Sequence, residues 1–158
     1  MIVLRCFRPD RVNFAVKQFV VDYLKSTEFI QSKATSLNDV YEESSPRVPI
    51  IFVLTQGVDP TELLYKFAEE KGVAVSSISL GKGQSQKAID FLKNGAKDGV
   101  WCFLSNCHLS VSLLPDLEAT LEQILVNGEY QDSFRLFLSA KPVGEFPISL
   151  LQKSLKMT

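Results

Sequence analysis

The chain has 158 residues, enough for one domain with a sizeable core, and its formal charge of -1 gives no basic field to draw it to nucleic acid or an anionic membrane. Hydrophobic residues make up 46% and charged residues 22%, ordinary for a globular domain, and no apolar run nears the roughly 20 residues of a membrane span. The apolar start is too short for a signal peptide, and cysteines at 6, 102 and 107 form neither metal-ligand spacing nor an even framework, so they read as reduced thiols in a cytosolic protein.

Residues 2–7 form a short apolar segment. Pro9-Asp10 then starts a helix, with Asp10 as its cap. Val12, Ala15, Val16, Phe19, Val20, Tyr23 and Leu24 recur at helical spacing, which predicts one face packed on a core. Residues 26–48 lose that period and are rich in Ser, Asn, Glu and Pro. They read as an irregular lead-in with a short helical turn at 37–43. Residues 49–55 are a strand buried on both faces, because the apolar run is unbroken.

A helix follows from Pro60 to Lys71 and stops at Gly72. Residues 73–80 are a second strand, and Gly81-Lys82-Gly83-Gln84 the next turn. A helix over 85–97 ends near Gly99. Val100 to Leu104 is a third strand, 111–126 a long helix ended by Gly128, and 134–140 a fourth strand. Phe146-Pro147 opens a short helix, and 154–158 is a last strand. Strands alternating with helices predict a three-layer α/β sandwich with a mostly parallel sheet of about five strands. The division expected is a single domain over 1–158, with an N-terminal helix and lead-in over 1–48 and the α/β core over 49–158. The abrupt end at Lys156-Met157-Thr158 reads as that of an excised piece.

The turn after the first strand is where such folds hold phosphate. A P-loop needs Gly-x-x-x-x-Gly-Lys-Ser/Thr, so that glycine N–H groups cradle phosphates, lysine neutralises charge and a hydroxyl binds Mg²⁺. Here Gly57 is followed by Val58, Asp59, Pro60, Thr61 and Glu62. There is no second glycine and no lysine in place, the acids repel a triphosphate, and Pro60 lacks an N–H. The same residues suit a structural cap: Asp59 as N-cap, Pro60 at the first helical position and Glu62 closing an Asp-x-x-Glu capping box.

The end of the third strand should deliver acids for Mg²⁺ and the attacking water. Ser105 and Asn106 stand there instead. Asn106 and His108 are expected to fix the turn by hydrogen bonding or to touch a neighbouring module. Cys107 and His108 could serve a small stand-alone α/β enzyme as nucleophile and base, but sequence neighbours rarely point at each other as a dyad requires. Gly57 and Gly83 could hold ADP through backbone N–H groups without hydrolysis, though a lone Gly-x-Gly is more often a tight connection. Trp101 and most aromatics fall on strands and inner helix faces and read as core. Asp116 and Glu118 read as a solvated helix face. No metal or cofactor site emerges from the residues.

Seven segments together resemble dynein heavy chain: Leu4 to Arg11, Tyr41 to Pro46, Pro49 to Leu54 with Gly57-x-Asp59-Pro60, and Ile78 to Gln84, then Trp101 to Leu109, Phe134 to Ser139, and Phe146 to Thr158. They cover nearly the whole chain in order. The resemblance is to the large α/β subdomain of the sixth and last AAA+ module of the motor ring, without its helical small subdomain, and closer to the axonemal branch. Thr55-Gln56-Gly57 stands where the family more often has Ser-Pro-Gly, Lys82 and Ser105 where it often has Gln, and Leu113 or Phe137 where tryptophan is common, so this is a divergent member. The resemblance implies an ATP-driven, minus-end-directed microtubule motor in the cytoskeleton of a cilium or flagellum. ATP and Mg²⁺ would be used in other modules. This one would be structural, without cofactor, its partners the neighbouring AAA+ modules, with microtubules and dynein intermediate and light chains bound by the parent.

Overall fold

The structure, a computed structural model, describes residues 11–25, 36–54, 59–81 and 83–157. The expected cap Asp10, the segment 2–7, Gly57 and Lys82 lie outside the described residues. The chain divides into two units, residues 1–36 and 37–158.

In the first unit the helix α1 (Val12–Leu24) forms as its period predicts. Phe19 and Tyr23, one turn apart, stack with ring centroids 5.8 Å apart. Val16, Phe19, Tyr23 and Leu24 are nonetheless exposed, so the stripe does not become a covered face. Among its described residues this unit is a single helix, with no second apolar layer of its own to close over that stripe.

The second unit begins at Leu37, earlier than the boundary near 48 that composition suggested. The reason is α2 (Leu37–Glu43), which buries Leu37 and Val40 in the core. The remaining elements alternate as β1 (Ile50–Val53), α3 (Pro60–Lys71), β2 (Val75–Ser79), α4 (Ser85–Asp98), β3 (Trp101–Ser105), α5 (Leu114–Asn127), β4 (Arg135–Ala140), α6 (Ile148–Lys153) and β5 (Leu155–Met157). The sheet order is β2-β3-β4-β1-β5, and every pairing is parallel.

The central strands β1, β3 and β4 are largely apolar because both faces are covered. Ile50 and Phe52 of β1 join Trp101, Phe103 and Phe137 beneath α2 and α3. Ile51, Cys102, Leu104, Leu136 and Leu138 point the other way, against α4, α5 and α6. The period-2 alternation thus serves two cores, giving three layers. Trp101 is fully buried, its indole N–H donates to the Ser133 carbonyl at 3.2 Å, and it lies among Tyr41, Phe67 and Phe137. The two edge strands differ, with Ser76, Ser77 and Ser79 exposed on β2 and Lys156 exposed on β5.

Two local expectations are corrected. The long helix starts at Leu114 rather than 111, after two short 3₁₀ turns at Cys107–Leu109 and Val111–Leu113. Pro115 explains the start: its ring and missing N–H are tolerated in the first turn of an α-helix and not deeper. Glu118 is not on a freely solvated face. It accepts from Ser149 Oγ at 2.6 Å and from Lys153 Nζ at 2.9 Å, and Lys153 also reaches Glu122, so the network ties α6 to α5. Asp116 is exposed as expected.

Candidate functional site

All five strands run the same way, so their C-terminal ends gather at one edge of the sheet, where open α/β folds build sites. Asp59 and Ser105-Asn106 both stand there.

Asp59 has an extended backbone and its Oδ1 accepts the Thr61 N–H at 2.9 Å, with Pro60 next at the head of α3. Hydrogen bonding from Thr61, side chain first and backbone second, holds the Asp59 carboxyl below its ordinary value, so the charge persists at the helix N-terminus. The N-cap forms as expected. The capping box does not close as expected: the Glu62 carboxylate lies 2.7 Å from Lys66 Nζ, one turn along the exposed face. The ammonium offers a charged partner at i+4, which outweighs a reach back to a backbone N–H.

At the end of β3, Asn106 sits in the left-handed region with φ of 58°. Asparagine is among the few side chains that tolerate this conformation. Its backbone N–H donates to Ser139 Oγ at 3.3 Å, and its amide Nδ2 donates to Ser79 Oγ at 3.2 Å. One residue therefore ties together the ends of β2, β3 and β4. Ser105 contributes its carbonyl, which accepts the Leu80 N–H at 2.9 Å. Sequence reasoning singled out Asn106 but missed Ser79 and Ser139. Both stand at the ends of expected strands, yet only the strand order makes them neighbours of Asn106.

Cys107 and His108 do not face each other as a pair. The Cys107 thiol is fully buried and donates to the Leu104 carbonyl at 3.3 Å. Burial pushes it up to about 12, so the thiolate a nucleophile requires is suppressed. His108 Nδ1 accepts the Lys141 N–H at 3.3 Å, pinning the turn after β4. Partial burial and then the Lys141 charge lower the His108 pKa, which keeps the imidazole neutral.

The turn at Gly81–Gln84 is closed by the Gln84 N–H donating to the Gly81 carbonyl at 3.3 Å, with Gly83 at φ of 78°. That is the tight connection the glycines suggested. Among the described residues, no group of three His, Cys, Asp or Glu side chains could hold a metal ion.

Residues 45–158 match the family described as "Dynein heavy chain region D6 P-loop domain". Aligned over the whole chain, the relatives include dynein axonemal heavy chain 2 of Mus musculus at 45% identity and of Homo sapiens at 44%. The Chlamydomonas reinhardtii dynein-1-beta heavy chain of the flagellar inner arm I1 complex is 39% identical over the whole chain. The chain spans 4% of the length of each of these relatives. Among solved structures, the FIGL-1 AAA domain in complex with ADP superposes with a TM-score of 0.52 at 15% identity, covering 71% of this chain and 43% of that one. That likeness is one of fold, and the AAA+ P-loop architecture is the fold shared. The seven segments, the strand order and the match over residues 45–158 agree: this chain belongs to the dynein heavy chain family, as a region D6 P-loop domain.

Proposed function

We propose that this domain is a structural, non-catalytic AAA+ module of a dynein heavy chain, with a degenerate P-loop at Gly57, Asp59, Pro60 and Thr61 and a degenerate acid position at Ser105 and Asn106. The observation that carries this reading is the tie made by Asn106. Where a hydrolase would keep acids for metal and water, a neutral side chain donates to Ser79 while its own backbone N–H donates to Ser139. The capped α3 supports it, since the Thr61 N–H at the helix N-terminus is already satisfied by Asp59.

On this reading the parent chain is an ATP-driven, minus-end-directed microtubule motor, and hydrolysis takes place in its other modules. This module holds the ring together, contacts the neighbouring AAA+ modules and passes on rigid-body motion. The buried two-sided sheet and the α5–α6 network supply the stiffness such a role needs. Microtubules and the dynein intermediate and light chains are partners of the parent rather than of this piece. The axonemal relatives support a place in the cilium or flagellum. The rival reading, an enzyme using Cys107 and His108, is disfavoured by their separate partners and the suppressed thiolate.

Titration calorimetry of the chain with Mg²⁺ and ATP at millimolar concentration tests the proposal. No binding heat is expected. Tight, Mg²⁺-dependent binding, or ATP density beside Gly57 with a metal, overturns it.

A further inference from the structure

Beyond the C-terminal ends of β1 and β4 lies a cavity of about 350 Å³. Its wall is Ile51 and Val53 of β1, Ala140 of β4, Val143 in the following turn, and Phe146 and Leu151 at α6. The volume falls within the range of small-molecule sites. The place is also where such sites form. The chain leaves β1 for α3 on one face of the sheet and leaves β4 for α6 on the other, so the two connections diverge and open a crevice.

The chemistry of the wall restricts what fits. Among the described residues lining the cavity, the one that carries charge is Lys141, whose backbone N–H donates to His108 and which is exposed. A nucleotide would find too few donors for its phosphates on so apolar a wall. A cation would find no carboxylate among the described lining residues. A compact apolar body carrying a single negative charge satisfies both parts at once.

We propose that this cavity is a binding site for small amphipathic monoanions, of the medium-chain or aromatic carboxylate class. The apolar tail lies against Val53, Phe146 and Leu151, and the carboxylate pairs with Lys141 at the rim. This assignment is independent of whether the domain binds ATP.

The test is methyl NMR of the 158-residue chain titrated with octanoate and, separately, with its neutral counterpart octanamide. Saturable shifts are expected at the methyls of Val53, Ala140, Val143 and Leu151. Octanamide should bind about three- to fivefold more weakly, the range an exposed ion pair supports. Lys141→Met should weaken octanoate by the same factor and leave octanamide unchanged, while Val143→Trp at the rim should weaken both. An absence of saturable shifts, shifts scattered over other surfaces, or equal binding of the two probes to wild type would overturn the assignment. Equal binding would instead mark the cavity as a dock for an apolar protein side chain.

Discussion

A β-carbon placed on Gly95 would fall 2.0 Å from the Cys102 Sγ, so α4 and β3 meet at the closest approach that a glycine allows. Both residues are buried, so an added β-carbon must displace the thiol within the core. Gly95→Ala is therefore expected to destabilise the domain by about 1–3 kcal/mol through overpacking, despite alanine's better helix propensity. Urea unfolding followed by circular dichroism measures it. The double variant Gly95→Ala with Cys102→Ala should recover most of the loss. If the single variant is as stable as wild type, the close approach is not present in solution.

Burial pushes the thiols of both Cys102 and Cys107 up to about 12. The sign of the resulting pH dependence follows from proton counts. Above the ordinary thiol value the unfolded chain has lost these protons and the folded chain has kept them, so stability falls as pH rises. The expected slope is about 1.4 kcal/mol per pH unit for each thiol between roughly pH 9 and 11. Replacing either cysteine by alanine in a Cys6→Ser background should remove its share of that slope. The same background should react with a thiol reagent only as fast as the domain opens. Rapid labelling of Cys107 at neutral pH would show a thiolate within reach and revive the enzyme reading.

Asn106 carries two separable jobs: its backbone occupies the left-handed region and its amide holds Ser79. Asn106→Ala should lose both, at about 1–3 kcal/mol. Asn106→Gly should lose only the amide and come out more stable than the alanine variant by roughly 1 kcal/mol. Equal stabilities would mean that the backbone is not held in that conformation. Thermal unfolding of the three proteins decides the matter.

Much of this domain was legible from local pattern. The apolar runs at 50–53, 101–104 and 136–138 read as strands covered on both faces, and the glycines at 72, 99 and 128 mark helix ends in the sequence as in the structure. Asp59 as a cap was legible for the same reason, because capping depends on residues two and three positions apart. What escaped were relations set by strand order. Ser79 and Ser139 are 60 residues apart in sequence, and only the placing of β3 between β2 and β4 brings both to Asn106. Glu118 looked solvated because its partners Ser149 and Lys153 arrive from a later helix. The start of α5 was a misreading of a different kind, since Pro115 was in plain view and its preference for the first helical turn was not applied.

The α5–α6 network makes its own pH prediction. Hydrogen bonding from Ser149 first, and the bond and charge of Lys153 after it, hold the Glu118 carboxyl below its ordinary value. A depressed carboxylate contributes stability that is fully present above its unfolded value and is lost as pH falls through the folded one. The Glu118 contribution should therefore fall away as pH drops from the ordinary glutamate range through the lower folded value. Glu118→Gln should be less stable at neutral pH and show a shallower loss in acid. Parallel acid-unfolding curves for the two proteins would mean that the network contributes nothing to stability.

Trp101 offers the sharpest test of the aromatic core. It is the only tryptophan in the chain, and its centroid lies 5.0 Å from Tyr41, 5.7 Å from Phe67 and 5.2 Å from Phe137. These partners come from α2, α3 and β4, so the indole joins the lead-in helix to the sheet. Trp101→Ala should cost about 3–5 kcal/mol, since three elements cannot collapse together into one cavity. Trp101→Phe keeps most of the contact but leaves the Ser133 carbonyl without its donor, and should cost about 1–3 kcal/mol. Tyr41→Leu then separates packing from hydrogen bonding: its cost should shrink in the Trp101→Ala background, because the ring it faces is gone. Strictly additive costs would show that α2 does not lean on Trp101, and the second unit would then begin at β1 rather than at Leu37.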